Sequence, residues 1–296
     1  MERDMDAGRL KMMGRGINLV GLVSPRAAGR LAFSMFARTR NPEPQTDKER
    51  ALFAESAPRM AEARRETVEV AGRPVAVHVF PPVGPGNGRR VMFTHGWGSR
   101  IALTQGLVTG LREAGFAVYA VDLPGHGSSP GTSLHAGIAI ATLASVWHRY
   151  GAFDAMIGHS FGGFMTVLAA HGALDGKPLS PPRIVLIAAP ADVRRVLRYF
   201  SRGLGLHDRV ATALTAELER ATGRPAEASF APAYLAASGV PTLVLHAQED
   251  KEVGADAARA YAEAGPNVTL TWLDGLGHRR IVNSPEAIEA ITKFLG

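Results

Sequence analysis

From residue 66 onward, short apolar runs bounded by Gly, Pro or Asp alternate with longer segments whose apolar residues recur every three or four positions. The first pattern reads as strand and the second as helix. Glu66–Ala71 and Pro74–Phe80, flanking Gly72-Arg73, predict a hairpin. Arg90–Thr94 predicts a strand and Thr104–Ala114 a helix, and Phe116–Val121 with Leu134–Tyr150 repeats the pair. Ala155–Gly158 is then a strand, Phe161–Ala170 a helix and Arg183–Ala188 a strand. Thr242–His246 and Val268–Trp272 are strands on either side of a helix over Gly254–Ala264. Ser284-Pro285 starts a terminal helix to Leu295, with Ser as N-cap and Pro at the first helical position. Unbroken runs such as Val185-Leu186-Ile187 and Leu243-Val244-Leu245 predict strands covered on both faces, as in a parallel sheet. Asp192 to Gly239 breaks the rhythm: it is helical throughout, an insertion between two strands of the kind that commonly forms a lid.

Before residue 66 the pattern differs. Thr46-Asp47-Lys48-Glu49 is a capping box opening a charged helix to about Arg65, and Asn41-Pro42-Glu43-Pro44-Gln45 reads as a linker. Upstream, Pro25 divides an arm in which Ile17, Leu19, Val20, Leu22 and Val23, then Leu31, Phe33, Met35 and Phe36, are mixed with arginines. The second piece predicts a basic amphipathic helix. The expected organisation is an N-terminal helical extension over residues 1–65 and one α/β domain over 66–296, with the insertion at about 191–239.

Charge sharpens this division. The chain of 296 residues is formally +6, yet residues 9–40 alone contribute +7, with no Asp or Glu among them. The remainder is near neutral, so no basic surface suited to nucleic acid is expected on the main domain. The arm has three readings: packing on the main domain, peripheral contact with an anionic membrane through residues 9–40, or a cleaved targeting peptide. Against the last, Ile17–Val23 is short, broken by Asn18 and Gly21, and not followed by a small-x-small cleavage site. No run approaches the ~20 apolar residues of a spanning helix. There is no cysteine, which excludes disulfides and thiol catalysis and fits a reducing, cytoplasmic setting.

The candidate chemistry centres on Gly158-His159-Ser160-Phe161-Gly162, between a predicted strand and a predicted helix. A serine at such a turn sits on a strained elbow whose neighbours must be small. It becomes a nucleophile only when a histidine accepts its proton and a carboxylate orients that histidine. In an open parallel sheet the working loops leave the C-terminal strand ends. Asp250 follows the strand Thr242–His246, and His278 follows Val268–Trp272 in a Gly-flanked loop, giving the chain order Ser160, Asp250, His278. Glu249, Glu252 and Asp192 are alternative acids, while Asp274 is too close in sequence to His278 to orient its ring. The Phe161 N–H, next after the nucleophile, supplies one donor for an oxyanion. His95 and His126 are expected to bond backbone around their glycine-rich turns, and His159 to be a spacer. Gly125-x-Gly127 lacks the rest of a dinucleotide fingerprint, and neither His-Glu-x-x-His nor Gly-Lys-Ser/Thr occurs, so no metal and no cofactor are inferred.

Four signatures together carry a resemblance: His95-Gly96-Trp97-Gly98, Asp122-Leu123-Pro124-Gly125-His126-Gly127-Ser128-Ser129, Gly158-His159-Ser160-Phe161-Gly162, and the Asp250/His278 pair. From about Glu66 to Gly296 the chain resembles an α/β-hydrolase fold serine hydrolase. Its Gly275-Leu276-Gly277-His278-Arg279-Arg280-Ile281 ending is similar to a bacterial esterase-like subgroup whose members tend to carry a helical N-terminal extension. The resemblance implies a mostly parallel central sheet flanked by helices, with a helical lid. It implies a triad of Ser160, Asp250 and His278, and Trp97 as the second backbone donor of the oxyanion hole. It further implies hydrolysis of a carboxylic ester, or of a thioester, lactone or amide of a small acyl substrate, or acyl transfer. A non-catalytic, membrane-associated member of the fold is the alternative of another class. Phe200, Leu204, Leu206, Phe230 and Tyr234 either line an apolar pocket or pack the inserted helices.

Overall fold

One eight-stranded sheet runs in the order β1-β2-β4-β3-β5-β6-β7-β8. Its strands are β1 (Arg64–Val70), β2 (Arg73–Phe80), β3 (Arg90–Thr94), β4 (Ala117–Val121), β5 (Ala155–His159), β6 (Ile184–Ile187), β7 (Thr242–His246) and β8 (Val268–Trp272). Only β2 is antiparallel to its neighbours β1 and β4; the other pairings are parallel. This is a computed structural model, and it describes residues 2–39, 44, 46–173 and 176–296. The linker expected at 41–45 therefore lies outside the described residues apart from Pro44.

The chain divides into two compact units, Thr39–Ala191 with Ala231–Gly296, and Met1–Arg38 with Asp192–Phe230. The larger unit holds the sheet. Strands β5, β6 and β7 are buried along their whole length, which is why they read as unbroken apolar runs. Helices α4 (Gln105–Glu113), α5 (Ala136–Tyr150), α6 (Phe161–Ala170), α9 (Ala231–Ser238), α10 (Ala255–Ala262), the short α11 (Gly277–Arg280) and α12 (Pro285–Leu295) belong to this unit. Val91, Phe93, Leu107, Leu111, Ile157, Val185, Leu245 and Ile291 share one buried cluster that ties α4 and α12 to the central strands. Ser284 Oγ accepts the Ala287 N–H at 3.1 Å, the cap the sequence predicts for α12.

Two boundaries differ from expectation. Helix α3 (Asp47–Ala61) is capped by Thr46 Oγ1 on the Glu49 N–H at 3.1 Å, but it ends four residues before Arg65. Arg64 and Arg65 instead pair with Val79 and His78 in the hairpin, so strand pairing outcompetes a charged helical end. The hairpin turn is Ala71-Gly72, both at positive φ (49° and 74°), the backbone twist that suits tight antiparallel connections. Helix α3 belongs to the sheet-bearing unit, where Arg112 bonds Glu62 at 2.7 Å and the Arg100 guanidinium sits 4.4 Å from the Phe53 ring centre.

The smaller unit consists of α1 (Glu2–Val23) and α2 (Pro25–Phe36) packed with α7 (Val193–Leu204) and α8 (Asp208–Thr222). The arm and most of the insertion are thus partners, α2 lying along α8 and α1 along α7. Asn18 fastens them: its Nδ2 donates to Gly205 O at 2.8 Å and its Oδ1 accepts the His207 N–H at 2.9 Å. Leu204 is buried and Phe200 meets Phe36 edge-on at 5.2 Å, so both serve packing within this unit. The last helix of the insertion, α9, packs instead on α6 in the larger unit.

Candidate active site

Strand β5 delivers the chain to Ser160, whose φ of 52° and ψ of −122° lie outside the regions an L-residue adopts freely. Such strain, on the order of 1–3 kcal/mol, persists only where its surroundings enforce it. Here the Ser160 N–H is tied to Ile187 O at 2.8 Å, and α6 folds back closely on β5. A Cβ on Gly163 would lie 2.7 Å from Gly158 O, and one on Gly162 2.5 Å from His95 O. Only glycine permits that approach, so the small residues around the serine are a steric requirement of the elbow.

The loops after β7 and β8 meet at this elbow. His278 Nε2 lies 2.9 Å from Ser160 Oγ, and His278 Nδ1 lies 2.7 Å from Asp250 Oδ2. Asp250 Oδ1 accepts the N–H groups of Glu252 (2.8 Å) and Val253 (2.9 Å). Burial of Asp250 works to raise its pKa, but the bonds from His278 and from the two amides outweigh it and hold the carboxyl below its ordinary value. An ionised Asp250 accepts the Nδ1 proton of His278, which turns the Nε2 lone pair toward Ser160.

The other acidic residues near these loops have different partners. Glu249 Oε1 accepts the Gly277 N–H at 3.0 Å, and Asp274 accepts both the Gln248 N–H (2.8 Å) and its Nε2 (2.9 Å). Both therefore stitch the β7 loop to the β8 loop. Glu252 pairs with Arg279 at 2.7 Å and lies 3.9 Å from His278 Nε2. Asp192 caps α7 through the Arg194 N–H and grips the Arg194 guanidinium at 2.6 Å, in the smaller unit.

The loop after β3 is braced by histidines. His95 accepts the Leu123 N–H on Nε2 (3.1 Å) and its Nδ1 donates to Gly96 O (2.7 Å). His126 accepts the Gly98 N–H on Nε2 (3.0 Å) and its Nδ1 donates to Pro124 O (3.1 Å). Each ring thus needs one protonated and one bare nitrogen, the neutral form. Burial, reinforced by the nearby His95, pushes His126 down to about 4. Asp122 anchors the same loops through His78 (3.0 Å) and the amides of Ile101 (2.9 Å) and Ser128 (2.8 Å). Trp97, held between these bonds, meets the Phe161 ring edge-on at 5.3 Å. Phe161 is the first residue of α6, where an N–H has no intrahelical acceptor.

His159 is the residue that sequence reasoning missed. Its Nε2 donates to the backbone oxygen of His278 at 2.9 Å, and the two rings lie 5.1 Å apart. Burial, then the proximity of His278, pushes it down to about 4, so it stays neutral beside the relay. Nothing in the pentapeptide signals this, because the acceptor is 119 residues away.

A hydroxyl bonded to an imidazole that is itself bonded to a buried carboxylate is equipped to attack an electrophilic carbonyl. Fold and site together define the class, and sequence comparison agrees: the profile described as "Alpha/beta hydrolase family" matches residues 91–291. The chain belongs to that family. Among solved structures it is similar to Est1E from Butyrivibrio proteoclasticus with ferulic acid bound, with a TM-score of 0.61 and 18% identity over 78% of this chain and 96% of that one. It is also similar to the esterase RhEst1 from Rhodococcus sp. ECU1013 (TM-score 0.57, 20% identity, 79% and 98% covered). Carboxylesterase CesB (YbfK) from Bacillus subtilis is a third (TM-score 0.59, 16% identity, 83% and 96% covered). At these identities the likeness is one of fold. No curated protein matches the chain in sequence.

Proposed function

We propose that the protein is a serine hydrolase that cleaves a carboxylic ester through an acyl-enzyme intermediate. The observation that carries this reading is the continuous relay from Ser160 Oγ to His278 Nε2 (2.9 Å) and from His278 Nδ1 to Asp250 (2.7 Å) at a strained elbow. His278 takes the Ser160 proton as Oγ attacks the ester carbonyl. The N–H groups of Trp97 and Phe161 hold the resulting oxyanion, a contribution of about 3–4 kcal/mol per donor in comparable sites. Collapse expels the alkoxide, which receives the proton from His278 and leaves as alcohol. His278 then deprotonates a water that attacks the acyl-enzyme, and the acid departs with Ser160 restored. Asp250 keeps the ring in the required tautomer and stabilises the imidazolium. The similarity in fold to esterases supports ester over other acyl bonds.

A series of p-nitrophenyl esters of increasing chain length, run beside Ser160→Ala, tests it. The expected result is turnover of at least one ester, with kcat lowered on the order of 10⁶-fold in the variant. Full esterase activity in Ser160→Ala would overturn the mechanism, and turnover confined to thioesters, lactones or amides would reassign the substrate class.

A further inference from the structure

Helix α1 is inside out. In a surface helix the apolar stripe normally faces the core and the polar residues face water. Here the buried positions are Gly14, Ile17, Asn18 and Gly21, at i, i+3, i+4 and i+7. All but Ile17 are small or polar, because the helix rides close on its partners: a Cβ on Gly14 would strike the Leu204 carbonyl, and one on Gly21 would come 2.6 Å from Val210 Cγ2. Asn18, the polar member, is satisfied inward by Gly205 and His207. The opposite side carries Met12, Leu19 and Val23, at i, i+7 and i+11, and they are 66%, 66% and 91% exposed. Val20 and Leu22 flank them, as do the exposed cations Arg9, Lys11 and Arg15.

Exposed apolar residues concentrate on α1, with Leu31, Tyr199 and Phe230 the remainder in its unit. Of twelve large apolar side chains exposed among the described residues, ten lie in it, so outward apolarity belongs to this unit and not to the molecule at large. Its sequence, residues 1–38 and 192–230, holds 14 Lys or Arg against 8 Asp or Glu, a net +6 that equals the charge of the whole chain. The acidic residues of α1, Glu2, Asp4 and Asp6, are confined to its first two turns, ahead of the apolar row. No helix among the described residues is long and apolar enough to cross a membrane.

We propose that the solvent face of α1 docks on an anionic lipid surface, with Met12, Leu19 and Val23 entering the headgroup–acyl boundary and Arg9, Lys11 and Arg15 meeting lipid phosphates. A helix lying in the interface needs this combination of an apolar row and flanking cations. A second copy of the chain fits less well, since two faces of like charge would be opposed. The proposal is independent of the reading of Ser160.

Deleting the arm would strip α7 and α8 of their packing, so the test uses point variants of the full chain. Sedimentation with vesicles of phosphatidylcholine containing 30% phosphatidylglycerol, against pure phosphatidylcholine, is measured for the wild type, for Met12→Gln/Leu19→Gln/Val23→Gln, and for Arg9→Gln/Lys11→Gln/Arg15→Gln. The expected result is binding to the anionic vesicles, weakened at least about tenfold by either triple variant and by 0.5 M salt. The melting temperature and reaction with a fluorophosphonate should stay unchanged in both variants. Equal partitioning of wild type and variants, or no partitioning of wild type, overturns the proposal. So does a concentration-dependent dimer that the apolar triple variant dissolves, or a binder for α1 found only among acidic proteins.

Discussion

His159 and Asp250 both touch His278, but at different atoms, and their removal should therefore be felt differently. Asp250 receives the Nδ1 proton, so Asp250→Asn presents the ring with an amide and favours the wrong tautomer. The expected loss in kcat is about 10⁴-fold with the fold intact, as judged by an unchanged circular dichroism spectrum. His159 holds only the backbone oxygen of His278 and never meets the reacting atoms. His159→Ala leaves that buried oxygen without its donor, an expected cost of about 1–3 kcal/mol in stability. Activity should fall through kcat with KM little changed, because the base is displaced while the binding surface is not. A His159→Ala enzyme with wild-type melting temperature and kcat would remove the positioning role.

At the scale of elements, glycine and asparagine on the inner side of α1 predict a contrast on one helix. Gly21→Leu drives a side chain into Val210 and should lower the melting temperature by the equivalent of about 1–3 kcal/mol. Leu19→Gln, two positions earlier on the exposed side, should stay within about 0.5 kcal/mol of wild type. Thermal denaturation of the two variants decides it; equal effects would mean that α1 is not packed as described. The same helix marks where the sequence stops being legible. Strands β3, β7 and β8 and helix α6 match their predicted bounds because apolar runs and turn residues report them locally. The sequence predicts a helix only for the second of two short arm pieces, whereas the first, despite glycines at 14, 16 and 21 and an apolar row that faces outward, is one helix of 22 residues. Tertiary packing overrides both signals. Within the site, chain order and strand ends point to Ser160 and His278, while preferring Asp250 to Glu249, Glu252 and Asp192 rests on the family resemblance. The work of Glu249, Asp274 and His159 was hidden, because each depends on which loop tip meets which.

For the whole molecule, buried histidines make stability depend on pH. His126 and His159 are held at about 4 by burial, whereas in the unfolded chain each titrates near 6.5. Between those values the unfolded state binds more protons, so stability rises with pH and is lost as pH falls through the window from 6.5 to about 4. Each contributes a loss of about 3 kcal/mol by the lower end. Asp122 and Asp250, both held below the ordinary carboxylate value, add a second loss at still lower pH, as their own protonation breaks the bonds described above. Denaturant unfolding at pH 7.5, 5.5 and 4.5 should show a steady decline beginning near 6.5. A flat profile down to 4.5 would contradict neutral, buried rings bracing the catalytic loops.

If His278 activates Ser160 as a nucleophile, the serine reacts with an active-site label. The folded protein is treated with a fluorophosphonate probe, digested, and the modified peptide mapped by mass spectrometry. A single adduct is expected on Ser160 Oγ, absent from Ser160→Ala and strongly slowed in His278→Ala. An unreactive wild-type protein, or an adduct that persists in Ser160→Ala, would contradict that activation.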